Sequence, residues 1–214
     1  MTKAIIISGL LTNLSDNLIK FLDKDTDIYC HTWSTPENKR WVYKLNRYKK
    51  YCREIKLKVQ EPIFDKKLYS YFYSTYQAIN MISNIDQYNY IIKFKPNLES
   101  EEIQYMGNLE YYFHKAYIQS YPLLQGVSKE DCLYGPIYYQ TMDERMFSGY
   151  PLAFKKAFHI LEEEFLPAVV ELDNYLIRVY GEDYEGSIFW KIWFESRKIN
   201  LILDLDLKVP NNKN

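Results

Sequence analysis

The chain is poor in the residues and patterns that identify many protein classes. Its three cysteines, Cys30, Cys52 and Cys132, match in number and spacing neither a disulfide framework nor a zinc site. A reduced, cytoplasmic setting is the simplest expectation. No apolar run approaches the roughly 18 residues of a membrane span, and the amino-terminal run is too short for a convincing signal peptide. We therefore expect a cytoplasmic protein with no integral membrane segment.

The chain also lacks an excess of charge and the common catalytic motifs. With 27 basic and 28 acidic residues its net charge is −1, so no global field favours nucleic acid or an anionic membrane, and any anion site must be local. The 22 tyrosines are spread along the whole chain, and nucleic-acid binding ranks last because a basic patch is missing. The motifs GxGxxG, GxxxxGK[ST], HExxH and GxSxG are absent.

Strand and helix patterns alternate in the first half of the chain. Residues 3–8 (KAIIIS) form an apolar run typical of a strand buried on both faces. A leucine stripe over residues 11–22 predicts a helix, and residues 27–31 predict a second strand. Residues 54–59 alternate apolar and polar side chains, as in a strand near a sheet edge. Residues 64–85 carry the clearest helical periodicity, so the order indicates an α/β protein with right-handed crossovers.

The last third of the chain is predicted to be helical. Pro167 and Gly181 separate three helical patterns, and residues 199–207 predict a final strand. We expect one α/β domain over residues 1–207, with a central, mostly parallel mixed sheet flanked by helices, and a polar tail over residues 208–214. The chain is either complete or the first domain of a longer enzyme.

The most informative segment is residues 87–99, QYNYIIKFKPNLE. A short apolar run ends in alternating cations, a proline, an amide and a carboxylate, and ligands of open α/β sheets bind beyond the carboxyl ends of such strands. Lys93 and Lys95 would neutralise phosphate charge. Asn97 and Glu99 offer the oxygen ligands that magnesium or manganese prefers. The alternative is an ordinary solvated strand exit with mixed charges.

Two further segments carry candidate site residues. Asp143 and Glu144 precede a short apolar strand and a glycine, which fits either an acidic rim of a site or a capped turn. His31 and Trp33 lie at the carboxyl end of the second predicted strand and would face the same crevice. The alternatives are a hydrogen-bonded structural histidine and a tryptophan that fills the core.

Taken together, these segments resemble a family of small glycosyltransferase-like proteins with the GT-A fold, a Rossmann-like α/β fold, found in bacteria, phages and large DNA viruses. The family has an "ISGxxR" turn, "DIFIHTW", a helix like YSTYQAINMI, "YDYIIRxRPDL" and "DxxxFG". The corresponding segments of this chain are residues 7–12, 27–33, 73–82, 88–98 and 143–149.

The resemblance implies transfer of a sugar from a nucleotide donor, a UDP-sugar above all, to a glycan or other hydroxyl acceptor, with Mn²⁺ or Mg²⁺ bridging the diphosphate. By carry-over, the turn of Ser8, Gly9 and Leu10 borders the nucleotide, and Asp143 faces the donor sugar or the acceptor. Asn97 stands where the family has its metal-binding aspartate.

The chain departs from the family at two positions. Thr12 replaces an arginine, and Asn97 removes one charge from the metal site, which leaves Glu99 as the anionic ligand. These departures keep a second interpretation open: a catalytically degenerate nucleotide-binding or interaction protein on the same scaffold.

Overall fold

The computed structural model of the chain describes residues 2–11, 14, 16–96, 128–138, 141–142 and 146–204. The strands are β1 (Lys3–Ser8), β2 (Thr26–Trp33), β3 (Glu54–Gln60), β4 (Tyr90–Phe94), β5 (Cys132–Tyr138), β6 (Thr141–Met142), β7 (Met146–Gly149) and β8 (Asn200–Asp204). The α-helices are α1 (Lys39–Asn46), α2 (Lys67–Asn80), α3 (Pro151–Phe158), α4 (Glu162–Tyr180) and α5 (Gly186–Ser196). Short 3₁₀ helices cover Asp16–Phe21, Pro36–Asn38, Arg47–Lys50, Ile85–Gln87 and Lys129–Asp131.

The described strands form one mixed sheet in the order β3-β2-β1-β4-β7-β5-β6, and β8 pairs with β5. Strands β3, β2, β1 and β4 run parallel to one another. Strand β7 is antiparallel to both β4 and β5, and β8 is parallel to β5. The predicted α/β class, with a mostly parallel mixed sheet and flanking helices, is confirmed.

Side-chain alternation along the central strands divides the core into two layers. On β1, Ala4 and Ile6 belong to a cluster with the aromatic residues of α2, α3, α4 and α5. Ile5 and Ile7 belong to the cluster on the other face, together with Leu45 of α1. Because both faces of β1 are covered, all six of its residues are buried, which explains its continuous apolar run.

The predicted edge strand and C-terminal helices are present, with one error in the helix boundaries. Strand β3 ends the sheet order, as its alternating pattern predicts. Pro167 was expected to separate two helices, and this is wrong because α4 runs through it. The interruption lies instead at His159, whose ψ of 72° is not helical. Pro167 is tolerated because it costs one backbone hydrogen bond near the start of a 19-residue helix.

Two other helices differ from the predicted ones. The helix expected over residues 11–22 is a 3₁₀ helix, Asp16–Phe21, and the long helix expected over residues 64–85 is α2, Lys67–Asn80. In the described parts of the chain, no helix is both long and apolar enough to cross a bilayer. The predicted polar tail, residues 208–214, lies outside the described residues.

Candidate functional site

The strand order places a crevice at the carboxyl ends of β1 and β4. After β1 the chain moves to β2 and β3 on one side, and then crosses over to β4 on the other side of β1. Such a reversal of direction is the topological switch point at which open α/β sheets bind ligands. Ile7 is in register with Phe94, and Ser8 with His31. The turn after β1 therefore lies between the end of β2 and the end of β4.

That turn is held by the middle of α2. Gly9 has a φ of +100°, a backbone conformation that residues with a side chain rarely adopt. Its N–H donates a hydrogen bond to Ser74 Oγ at 2.7 Å. A Cβ at Gly9 would lie 3.2 Å from Cδ2 of Tyr71. The buried Ser8 hydroxyl lies 2.8 Å from Oγ1 of Thr75. Hence the Gly9 N–H and the Ser8 side chain are both engaged by the helix, and the ring of Tyr71 fills the space beside Gly9.

Leu10 is the exposed side chain of the turn, with 47% of its surface accessible. It follows the positive-φ glycine and lies outside both core clusters. Of the three predicted nucleotide-bordering residues, Leu10 alone presents its side chain to solvent.

His31 is a buried, neutral residue that connects β2 to α2. Its Nδ1 lies 2.9 Å from Ser74 Oγ, which also donates to the His31 carbonyl oxygen at 2.9 Å. Nε2 lies 3.4 Å from Oε1 of Gln60. Burial lowers the pKa of His31 from 6.5 to about 4, against the small opposing effect of Gln60. The imidazole is therefore uncharged at neutral pH and shares one hydroxyl with Gly9.

Trp33 packs inside the aromatic layer. Its side chain is 3% exposed, its ring stacks on that of Tyr73 with centroids 6.2 Å apart, and it meets His31 edge-on at 5.1 Å. Among the described residues, nothing accepts a hydrogen bond from its Nε1. This arrangement corresponds to the core-filling alternative, since a ring so enclosed has no open face for stacking on a ligand.

Lys93 and Lys95 both approach the ring of Tyr71, in different surroundings. Lys93 lies within β4 and is fully buried. Its Nζ contacts the Tyr71 hydroxyl and lies 5.1 Å and 5.2 Å from the ring centroids of Trp190 and Phe147. Lys95 follows the strand, is partly exposed, and has its Nζ 5.0 Å from the Tyr71 centroid. Lys95 is thus the cation at the strand end, and Lys93 is enclosed behind it by aromatic rings.

The start of α2 is anchored by a buried carboxylate on α4. Asp173 accepts hydrogen bonds from Lys66 at 2.6 Å and Tyr69 at 2.5 Å, and also from Tyr184. Burial raises its pKa, but these hydrogen bonds and the charge of Lys66 outweigh burial, so the pKa lies below its usual value. The carboxylate therefore stays ionised and holds the helix end that covers the crevice.

Sequence reasoning missed the three α2 residues that build the crevice. Tyr71, Ser74 and Thr75 contact Lys93, Gly9 and Ser8, respectively. The signal was present, because residues at i, i+3 and i+4 share one face of a helix, and this face carries hydroxyl groups among apolar neighbours. The sequence alone does not show which strand ends this helix face covers.

Four predicted residues, Asn97, Glu99, Asp143 and Glu144, lie outside the described residues. The strands next to them are described, and they pair: Phe94 of β4 is in register with Met146 of β7. Within the described ranges, no group of three or more histidine, cysteine or acidic residues could hold a metal ion. The predicted metal ligands and the predicted base therefore stay predictions.

No protein family and no curated protein matches this sequence. Among solved structures, the chain is similar to the apo form of mouse xyloside xylosyltransferase 1, with 11% sequence identity and a TM-score of 0.34. The alignment covers 95% of this chain and 84% of that one. At this identity and TM-score the likeness assigns neither fold nor function.

Proposed function

We propose that the chain is a glycosyltransferase that moves a sugar from a nucleotide donor, a UDP-sugar by preference, to a hydroxyl acceptor with the help of a divalent metal ion. One observation carries the proposal more than any other. The strand that leads toward Asn97 and Glu99 is paired, at Phe94 and Met146, with the strand that follows Asp143 and Glu144. Two predicted parts of one site thus extend from neighbouring strand ends at a switch point.

The donor diphosphate would lie against the Gly9 turn and the Lys95 ammonium. Leu10 is the exposed residue of this turn, and Lys95 supplies a partly exposed positive charge at the strand end. Lys93 adds a second positive charge behind the ring of Tyr71. These groups would stabilise the negative charge that grows on the departing diphosphate.

Asn97 and Glu99 would hold the metal ion through one amide oxygen and one carboxylate. This donor set suits Mg²⁺ or Mn²⁺, which take few protein ligands and complete their shells with phosphate and water. The bound ion supplies Lewis-acid stabilisation of the leaving group. With one carboxylate instead of two, the site should bind the metal weakly in the absence of nucleotide.

Asp143 or Glu144 would act on the acceptor. In an inverting reaction, one of these carboxylates takes the proton from the acceptor hydroxyl as that oxygen attacks the anomeric carbon. In a retaining reaction, no base is needed at this position.

Calorimetric titration with UDP, GDP and CMP, with and without Mn²⁺, tests the proposal. We expect UDP to bind more tightly when Mn²⁺ is present, and the Asn97→Asp variant to bind Mn²⁺ more tightly than the wild-type protein. The matched control is Asn89→Asp, an amide-to-acid change at the exposed residue before β4. Metal-independent binding, or no binding of any of the three nucleotides, contradicts the proposal.

The second candidate, a degenerate nucleotide-binding protein, is favoured by the neutral amide at Asn97. Hydrolysis of a UDP-sugar separates the two candidates. An enzyme should release sugar, and in an inverting enzyme with Asp143 as its base the rate should fall at least about 100-fold in Asp143→Ala. A degenerate protein binds UDP but releases no sugar above the rate without protein.

A further inference from the structure

The segment of the chain around α1 is strongly basic although the whole chain is nearly neutral. Residues 38–53 hold seven of the 27 lysines and arginines and none of the 28 acidic residues. Glu37 and Glu54 flank the segment. The near-neutral net charge of the whole chain excludes a global electrostatic field, but it does not exclude a local positive field at this segment. The expectation that a basic patch is missing is therefore wrong for residues 38–53.

Most of these cations have no acidic partner among the residues that the structure describes. Lys44 pairs with Asp16 at 3.0 Å, and Arg53 pairs with Asp27. The other five form no ion pair with any carboxylate that the structure describes, and all five are exposed. We call them the basic face: Lys39, Arg40, Arg47, Lys49 and Lys50.

The basic face is held rigidly in one orientation. Leu45 and Tyr48 are buried, at 0% and 1% exposure, in the layer against β1 and β2. Lys39, Tyr43 and Arg47 follow one another at intervals of four, so they lie along the opposite side of the helix. Residues 39–50 span about 18 Å. Lys24 extends this surface at its far end, where its ammonium donates to the Lys50 carbonyl at 2.8 Å.

The aromatic residues of the segment favour a lipid surface over a nucleic acid. Tyr43 is 71% exposed in the middle of the row, and the partly buried Trp41 lies 4.3 Å under the Arg40 guanidinium. Tryptophan and tyrosine are the residues favoured at the interface between a membrane and water. Single-stranded nucleic acid instead needs a groove with several exposed rings for successive bases. Tyr43 is the one large ring that this segment exposes.

We propose that the basic face docks the protein peripherally on an anionic lipid bilayer. A bilayer is flat and recognises clustered Lys and Arg through charge without a shaped pocket, which fits the surface of α1 and the 3₁₀ helix after it, where exposed cations surround a single exposed tyrosine. The proposal is independent of the glycosyltransferase assignment. It needs no membrane-spanning helix.

The test is co-sedimentation of the full chain with vesicles. Vesicles of phosphatidylcholine with about one third phosphatidylserine should bind the protein at low ionic strength and release it at high salt, and pure phosphatidylcholine should not bind it. Each cation near the surface contributes about fivefold to partitioning. The triple variant Lys39→Gln, Arg47→Gln, Lys49→Gln should therefore partition about 100-fold more weakly.

A matched triple variant controls for net charge. Lys67→Gln, Arg178→Gln and Lys198→Gln remove three exposed cations from other parts of the surface, and this protein should partition like the wild-type protein. Equal binding to neutral and anionic vesicles, or equal losses in both triple variants, overturns the proposal. Tighter binding of a single-stranded oligonucleotide than of anionic vesicles, with the same dependence on the basic face, also overturns it.

Discussion

Replacing Ser74 with alanine should destabilise the protein and loosen the turn after β1. The buried Ser74 hydroxyl accepts the Gly9 N–H at 2.7 Å and lies 2.9 Å from His31 Nδ1. Alanine leaves both buried groups without this partner, and each unsatisfied group costs about 1–3 kcal/mol. We expect the free energy of unfolding to fall by about 2–5 kcal/mol. Denaturation in urea measures it, and hydrogen exchange at the Gly9 amide reports the loosened turn.

Ser83→Ala provides the control for this prediction, because Ser83 is exposed shortly after the end of α2. It removes the same hydroxyl chemistry without uncovering buried groups, so stability should change by less than about 0.5 kcal/mol. Equal effects of the two substitutions, or an unchanged exchange rate at Gly9, would refute the role assigned to Ser74.

Two further predictions concern the same turn and the strand beside it. Because the pKa of His31 is about 4 in the folded protein and 6.5 in the unfolded chain, the unfolded chain binds more protons between these values. Stability should therefore fall by up to about 3 kcal/mol from pH 6.5 to pH 4. Denaturation at several pH values measures this slope. His31→Gln should reduce it by more than His159→Gln does, because burial and Lys155 also lower the pKa of His159, but less strongly. Gly9→Ala should cost more stability than Gly181→Ala, because both glycines have positive φ but only Gly9 faces a ring, that of Tyr71, within 4 Å. If Gly9 borders the nucleotide, only the Gly9 change should also weaken calorimetric UDP binding.

The sequence predicted the strands of the sheet better than the side chains around the crevice. A continuous apolar run identifies a strand covered on both faces, and this held for β1, whose residues are all buried. The alternation in β3 identified the sheet edge. These signals are local, because burial on one or both faces is written into the residues of the strand itself.

The strand predicted over residues 88–94 ends where β4 ends, at Phe94. The burial of Lys93 inside it was not predicted, because a charged residue normally marks a strand exit. Lys93 can remain inside the sheet because Tyr71, Phe147 and Trp190 surround its ammonium. These rings come from α2, β7 and α5, so only the folded chain reveals the enclosure.

Strand alternation explains why both lysines meet the same ring and what this means for the crevice. Ile91 faces the layer of α2, and Tyr90 and Ile92 face the opposite layer, so Lys93 and Lys95 share the side of Ile91. Tyr71 receives both ammonium groups and also lies against Gly9, where a Cβ would meet its ring. A cation over an aromatic ring contributes about 0.5–2 kcal/mol, so the two lysines help to hold the ring against the turn. Tyr71 of α2 is thus the residue through which both lysines contact the turn at Gly9.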